Sequence, residues 1–175
     1  MVDYRVYYHD DFGYNILITM VSVSSDIIYF LQRQGFVIVS TIDLQGYIHS
    51  VAKGIAGLEE SKIYIIDLYR ATTYKNLQAN PTISITAVDE RQFIGYTLKG
   101  KAEIIPREQI EEDIIKKWEE KVVARISQRV VRSVKEYKKA PHQPEARFPH
   151  PQYLIVMSVE EIVDLAPGHL KKPGK

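Results

Sequence analysis

Between Phe36 and Ile105 the chain is a succession of short β-prone runs separated by compact turns. The runs are "FVIVSTI", "YIHSVAKG", "KIYIIDL", "TISITAVD" and "FIGYTLKGKAEII". Three of their connections, "DLQG", "GLEES" and "DERQ", carry turn residues, and the first is a β-hairpin signal between two β-prone runs. Five such runs in one stretch predict an antiparallel barrel or sandwich. At 175 residues the chain fits one domain, with a core over about 24–106, an extension over 107–151 and a last strand and tail over 152–175.

The flanks read differently. "SSDIIYFLQRQG" has the marks of a helix: Ser24 or Ser25 as cap, Asp26 in the first turn, and Gly35 as the stop. The Tyr-rich residues 1–23 contain "ILITMVSV", which reads as a strand or as an arm on a neighbouring subunit. After Pro106, apolar residues recur at 110, 114, 115, 118, 122, 123, 126, 130, 131 and 134, the period of one long amphipathic helix or two short ones, reaching about Tyr137. "KKAPHQPEARFPHPQ" reads as an extended loop, "YLIVMSVEEIVDL" as the last strand and "APGHLKKPGK" as a frayed tail.

Composition removes several function classes. There is no Cys, hence no disulfide, thiolate chemistry or Cys-ligated metal. A formal net charge of +1 gives no broad reason to expect nucleic acid or an anionic membrane as partner. No run approaches the roughly 20 apolar residues of a membrane span, and the start lacks a signal-peptide pattern, which is compatible with a cytoplasmic location. The five His residues, at 9, 49, 142, 150 and 169, show no metal-ligand spacing.

One stretch stands apart. In "YRATTYKNLQANP", Arg70, Thr72, Thr73 and Lys75 crowd the entrance to a short helix that Asn80-Pro81 ends. In isolation this is ordinary capping by Thr72 or Thr73. Just after the strand "KIYIIDL" it also reads as an anion cradle, because first-turn amides carry the positive end of the helix dipole. The run "HSVAKG" adds a second cation, Lys53, beside small residues. Tyr69, Tyr74 and Tyr96 are either an aromatic substrate pocket or packing, and His49 is a hydrogen-bonded barrel residue before it is an acid or base.

The ordered set "FLQRQGFVIVSTIDLQGYIHSVAKG", "KIYIIDLYRATTYKNLQANPTISITAVDE" and "LKGKAEII" resembles the flavin-binding split-barrel proteins of the pyridoxamine 5′-phosphate oxidase-like superfamily, over roughly Ile27 to Ile105. The resemblance implies a mainly β fold: a six-stranded antiparallel split barrel with flanking helices and a C-terminal helical extension. It further implies a homodimer with FMN at the interface, two sites per dimer, and a redox reaction on a small molecule with NAD(P)H as one candidate donor. Ser50, Val51, Ala52 and Lys53 would run along the flavin, Ile66 and Asp67 would offer backbone groups to the ring or ribityl chain, and Gly95 would approach the flavin of the other subunit. The family commonly has Ser-Arg-Lys before the short helix. Here those positions are Ala71, Thr72 and Thr73, with Arg70 and Lys75 on either side to restore the charge. The C-terminal Arg and Trp of genuine pyridoxamine phosphate oxidases are missing, so vitamin B6 oxidation is not supported. A flavin module without turnover, or the same fold holding a deazaflavin or haem, remains open beside the oxidoreductase.

Overall fold

A computed structural model describes residues 3–9, 15–135 and 148–170. The end of the expected helix beyond Lys135, the expected loop up to residue 147, His142 and the tail from 171 lie outside the described residues.

Nine strands form. β1 (Asp3–His9) and β2 (Asn15–Val21) pair as a separate two-stranded sheet, so "ILITMV" is a strand. The other seven are β3 (Val37–Ile42), β4 (Ile48–Lys53), β5 (Gly57–Leu58), β6 (Lys62–Asp67), β7 (Thr82–Asp89), β8 (Ile94–Pro106) and β9 (Tyr153–Asp164). They make one antiparallel sheet in the order β4-β3-β7-β8-β9-β6-β5, which is not closed by backbone pairing. The expected count of six is exceeded by β5, a two-residue strand too short to show period-2 alternation in sequence.

The turns form for the reasons the sequence suggests. Asp43 Oδ1 accepts from the amides of Gln45 and Tyr47, and Gly46 takes φ +86°, where a Cβ is disfavoured. Asp89 Oδ1 does the same for Arg91 and Gln92. The helix signals hold less well. α1 (Ser25–Gln32) begins after Ser24, yet no side chain caps it, and Gly35 is not in the left-handed region, so it is no αL stop.

Alternation along the strands divides the sheet into two faces. Val37, Val39, Ile63, Ile65, Ile83, Ile85, Leu98, Ile155 and Met157 point into the barrel, and Leu31 of α1 plugs it. Full burial of such side chains contributes about 1.5–3 kcal/mol each, which makes this cluster the main source of stability. On the outer face, Ile66 and Leu154 join Ala56 and Ile110 in a second cluster. α3 (Glu112–Lys135) covers it with Ile114, Ile115 and Trp118. The long amphipathic stripe is therefore broken: Arg107–Gln109 is a 3-10 turn, and the α-helix starts five residues later. No helix among the described residues is long and apolar enough to cross a membrane.

α2 (Thr72–Ala79) is tied to the barrel by a buried polar contact, Asn76 Nδ2 donating to Thr41 Oγ1 at 3.0 Å. Thr41→Val keeps the shape but leaves that amide unpaired. It is expected to cost about 1–2 kcal/mol, read as a lower urea midpoint at unchanged slope. A midpoint equal to wild type would show that the contact does not hold the helix.

Candidate functional site

β6 ends at Asp67, and the chain turns over four residues into α2. Asp67 is 6% exposed, and a carboxylate so placed needs partners. It has four. Lys53 Nζ and the Tyr153 hydroxyl both donate to Oδ2 at 2.5 Å, while the amides of Leu68 and Tyr69 donate to Oδ1 at 2.8 and 3.4 Å. Burial, and after it the Asp67 carboxylate, hold the Tyr153 phenol far above the usual tyrosine range, so it stays a donor.

This group also explains how the barrel is held shut. β4 is one edge of the sheet and β6 lies next to the other. The Lys53–Asp67 ion pair therefore crosses the split between the two ends, where no backbone ladder exists. Asp67 pairs with Tyr153 across β6–β9, and Tyr153 pairs with Pro106 across β9–β8.

The contacts continue into the short helix. The Tyr153 ring meets Tyr74 edge-on at 4.9 Å, and the Arg70 guanidinium sits 5.5 Å from the Tyr74 ring centroid. The N-cap of α2 is Ala71, with no side-chain cap, so the capping role offered for Thr72 or Thr73 is not the one they have. Thr72 and Thr73 are the first two helical residues instead. Thr72 and Lys75 are exposed, and Thr73 is 4% exposed. First-turn amides that no side-chain cap takes up, with Arg70 and Lys75 on either side, leave a positive helix start suited to an anion. One residue beyond the Asp67–Tyr153–Pro106 row, Arg107 Nη1 is buried with no hydrogen-bond partner.

The residues singled out in the sequence thus separate. Lys53, Asp67 and Arg70 share one contact network, and Thr72, Thr73 and Lys75 lie on the helix start beside it. On β4, side chains alternate: Val51 packs on the inner cluster with Lys53 on the same side, while Ser50 and Ala52 face outward. Ser50 Oγ lies 2.9 Å from Ser40 Oγ. Ile66 points away from Asp67 into the cluster beneath α3, and the Asp67 carbonyl is taken by the Gln152 amide at 2.9 Å. Gly95 is buried against Ala87, Val88 and Leu165, none of them part of the cradle. Tyr96 stacks edge-on with Phe30 at 5.4 Å, so the three tyrosines do not line one pocket.

Tyr153 is the member of the site that sequence reasoning missed, while Tyr74, named there as pocket or packing, packs between Tyr153 and Arg70. Tyr153 lies 86 residues from Asp67, and only the β6–β9 register joins them.

A separate cleft of about 700 Å³ lies between β5 and α3, on the opposite face of β6. There Tyr64 donates to Glu59 at 2.9 Å, and burial, aided by Glu59, pushes its phenol up to about 12. No group of His, Asp or Glu suited to a metal ion occurs among the described residues.

An open antiparallel barrel with helices packed against it, and a short helix that follows the strand next to the sheet's edge, define the split-barrel class. Residues 26–162 match the family model described as pyridoxamine 5′-phosphate oxidase, and the chain belongs to that family. At the level of the family this is a flavin-type binding fold. HupZ from Group A Streptococcus is similar in structure, with a TM-score of 0.57, 18% identity, and 83% of this chain and 97% of that one covered. A protein related to general stress protein 26 (pyridoxinephosphate oxidase family) from Clostridium acetobutylicum gives 0.53 at 17% identity, covering 83% and 88%. F420 Reductase gives 0.54 at 14% identity, covering 81% and 98%. At these identities the likeness is one of fold. No curated protein sequence matches the chain.

Proposed function

We propose that the protein binds FMN and is a flavin-dependent oxidoreductase acting on a small substrate, with NAD(P)H as a candidate donor. The observation that carries this is the uncapped start of α2, flanked by Arg70 and Lys75, at the end of β6 in a chain of this family. The residues fit the group. A phosphate monoester asks for amides at a helix start, a guanidinium and an ammonium, and the first turn of α2 has all three. FMN, when bound, supplies the electron transfer itself. This chain's residues bind and orient it. Arg70, Lys75, the Thr72 hydroxyl and the first-turn amides hold the phosphate. Lys53 and Asp67 form the wall beside it, Ser50, Val51, Ala52 and Ile66 are assigned to the ligand through backbone groups, and Gly95 of a second copy is assigned to the far side.

We infer a homodimer on two grounds. One chain offers the cradle only a wall, and the outer sheet face carries Ile38, Ile48 and Val88 at 36%, 74% and 56% exposure. The reading places the protein in the cytoplasm, with neither nucleic acid nor membrane as partner.

The purified protein is expected to absorb as a flavoprotein, to release a compound of FMN mass, and to scatter light as a dimer. A protein that takes up no flavin at micromolar concentration would refute the cofactor assignment. A deazaflavin or haem mass would replace FMN within the same fold. NAD(P)H consumption with added acceptors separates an enzyme from a flavin module without turnover.

A further inference from the structure

We infer that Asp67 is a specificity-determining residue of this site: it neutralises Lys53 and thereby lowers the preference for a phosphate-bearing ligand over a phosphate-free one. The inference rests on the reading of the α2 start as a phosphate cradle.

Three observations carry it. The carboxylate is immobilised by four donors, two on each oxygen, so it has no freedom to leave the ammonium. The Lys53 side chain is 11% exposed and its partner's 8%, so water screens the pair weakly and an incoming anion must compete with Asp67 directly. The carboxylate also lies three residues before Arg70. It reaches Arg70's stacking partner in two further contacts, Tyr153 and then Tyr74. The inner wall of the site therefore presents an ion pair of zero net charge, and the cationic set that meets a phosphate shrinks to Arg70, Lys75 and the helix start. An anionic phosphate gains less at such a wall than beside a free ammonium, while a neutral ligand loses nothing by the exchange, so the preference between the two narrows.

Asp67→Asn keeps the size of the side chain and an oxygen for Tyr153, but frees the charge of Lys53. The FMN-to-riboflavin affinity ratio is expected to rise about tenfold, because the added positive charge acts on the phosphate and not on the ring. The double variant Asp67→Asn with Lys53→Gln removes both charges, and its ratio is expected to return to within about threefold of wild type. A purely structural role for Asp67 would shift both ligands alike and leave the ratio unchanged, which overturns the inference. A double variant whose ratio falls about tenfold below wild type overturns it too, since Lys53 would then touch the phosphate itself. Should Asp67→Asn fail to fold, Lys53→Gln decides: it leaves the Asp67 charge without its partner and is expected to lower the ratio about tenfold while the double variant stays near wild type, and a ratio unmoved by Lys53→Gln overturns the inference. Wild-type protein that binds riboflavin and FMN equally well would refute the cradle itself, a result distinct from an unmoved ratio in the variants.

Discussion

Gly100→Ala is expected to lower stability by about 4 kcal/mol or more, enough to leave much of a marginally stable domain unfolded. Gly100 lies at the one register shift in the β8–β9 ladder, where Lys99 faces Glu161 and Gly100 faces Val159. A Cβ there would stand 1.9 Å from the Ser158 carbonyl oxygen, 3.0 Å from its carbon and 3.3 Å from the Glu160 amide nitrogen. All three are backbone atoms of the strand that pairs with both β6 and β8, so no side chain can rotate away to make room. The β-bulge must be lost or the ladder must part, and the inner cluster packs against this ladder through Leu98, Ile155 and Met157. Gly35 makes the control: a Cβ meets nothing within 4 Å there, and φ is not positive. Gly35→Ala is expected to stay within about 0.5 kcal/mol of wild type. Urea unfolding of the two variants side by side checks both. A Gly100→Ala unfolding free energy within about 1 kcal/mol of wild type would mean that the bulge relaxes freely.

That glycine shows what kind of information the sequence held. "GKAE" was part of the resemblance to the family, and its glycine turns out to be the bulge residue, a local need written locally. The strands were legible for the same reason, since Val37, Val39 and Thr41 alternate with exposed or half-buried neighbours at period 2. The turns at Asp43 and Asp89 were legible through side chains that bond their own next amides. The charged entrance to α2 was legible as a crowd of hydroxyls and cations before Asn80-Pro81. What the sequence could not show was pairing at a distance. Lys53 read as a free cation and Asp67 as a backbone contact, because nothing near either one announces an ion pair across the split of the barrel. Tyr153 read only as the first residue of a strand. Thr72 and Thr73 read as caps because their residue type favours that role, yet the N-cap falls one residue earlier, at Ala71, and the helix starts at Thr72. Caps depend on where the preceding strand releases the chain, and β6 ends where the four bonds to the Asp67 carboxylate end it.

The double variant Arg70→Ala with Lys75→Ala is expected to weaken FMN about 100-fold while changing riboflavin by less than threefold. Both side chains are on the exposed side of the α2 start, so their loss removes charge without opening the core. A charge-assisted hydrogen bond contributes roughly 1.5–3 kcal/mol, and one lost bond of that size weakens binding about 10- to 100-fold. Two lost bonds would exceed that if they were independent. They share one phosphate and retain the helix amides, so the upper end of the single-bond range is the expected sum. Riboflavin carries the ring without the phosphate, which makes it the internal control for any general damage to the pocket. Arg70 also rests on the Tyr74 ring, so its removal costs some packing, and that cost falls on both ligands alike. Thr72→Ala extends the test to the hydroxyl. Because Ala71, and not Thr72, is the N-cap, this change removes no cap bond and is expected to leave stability within about 0.5 kcal/mol. Any loss it causes in FMN affinity then reports on ligand contact alone. Titration of both flavins into wild type and the variants, at two salt concentrations, completes the measurement. A cationic cradle predicts that FMN weakens as salt rises and that the double variant loses most of that dependence. An FMN-to-riboflavin ratio unmoved by the double variant would place the phosphate elsewhere, and the start of α2 would be a helix entrance with no ligand of its own.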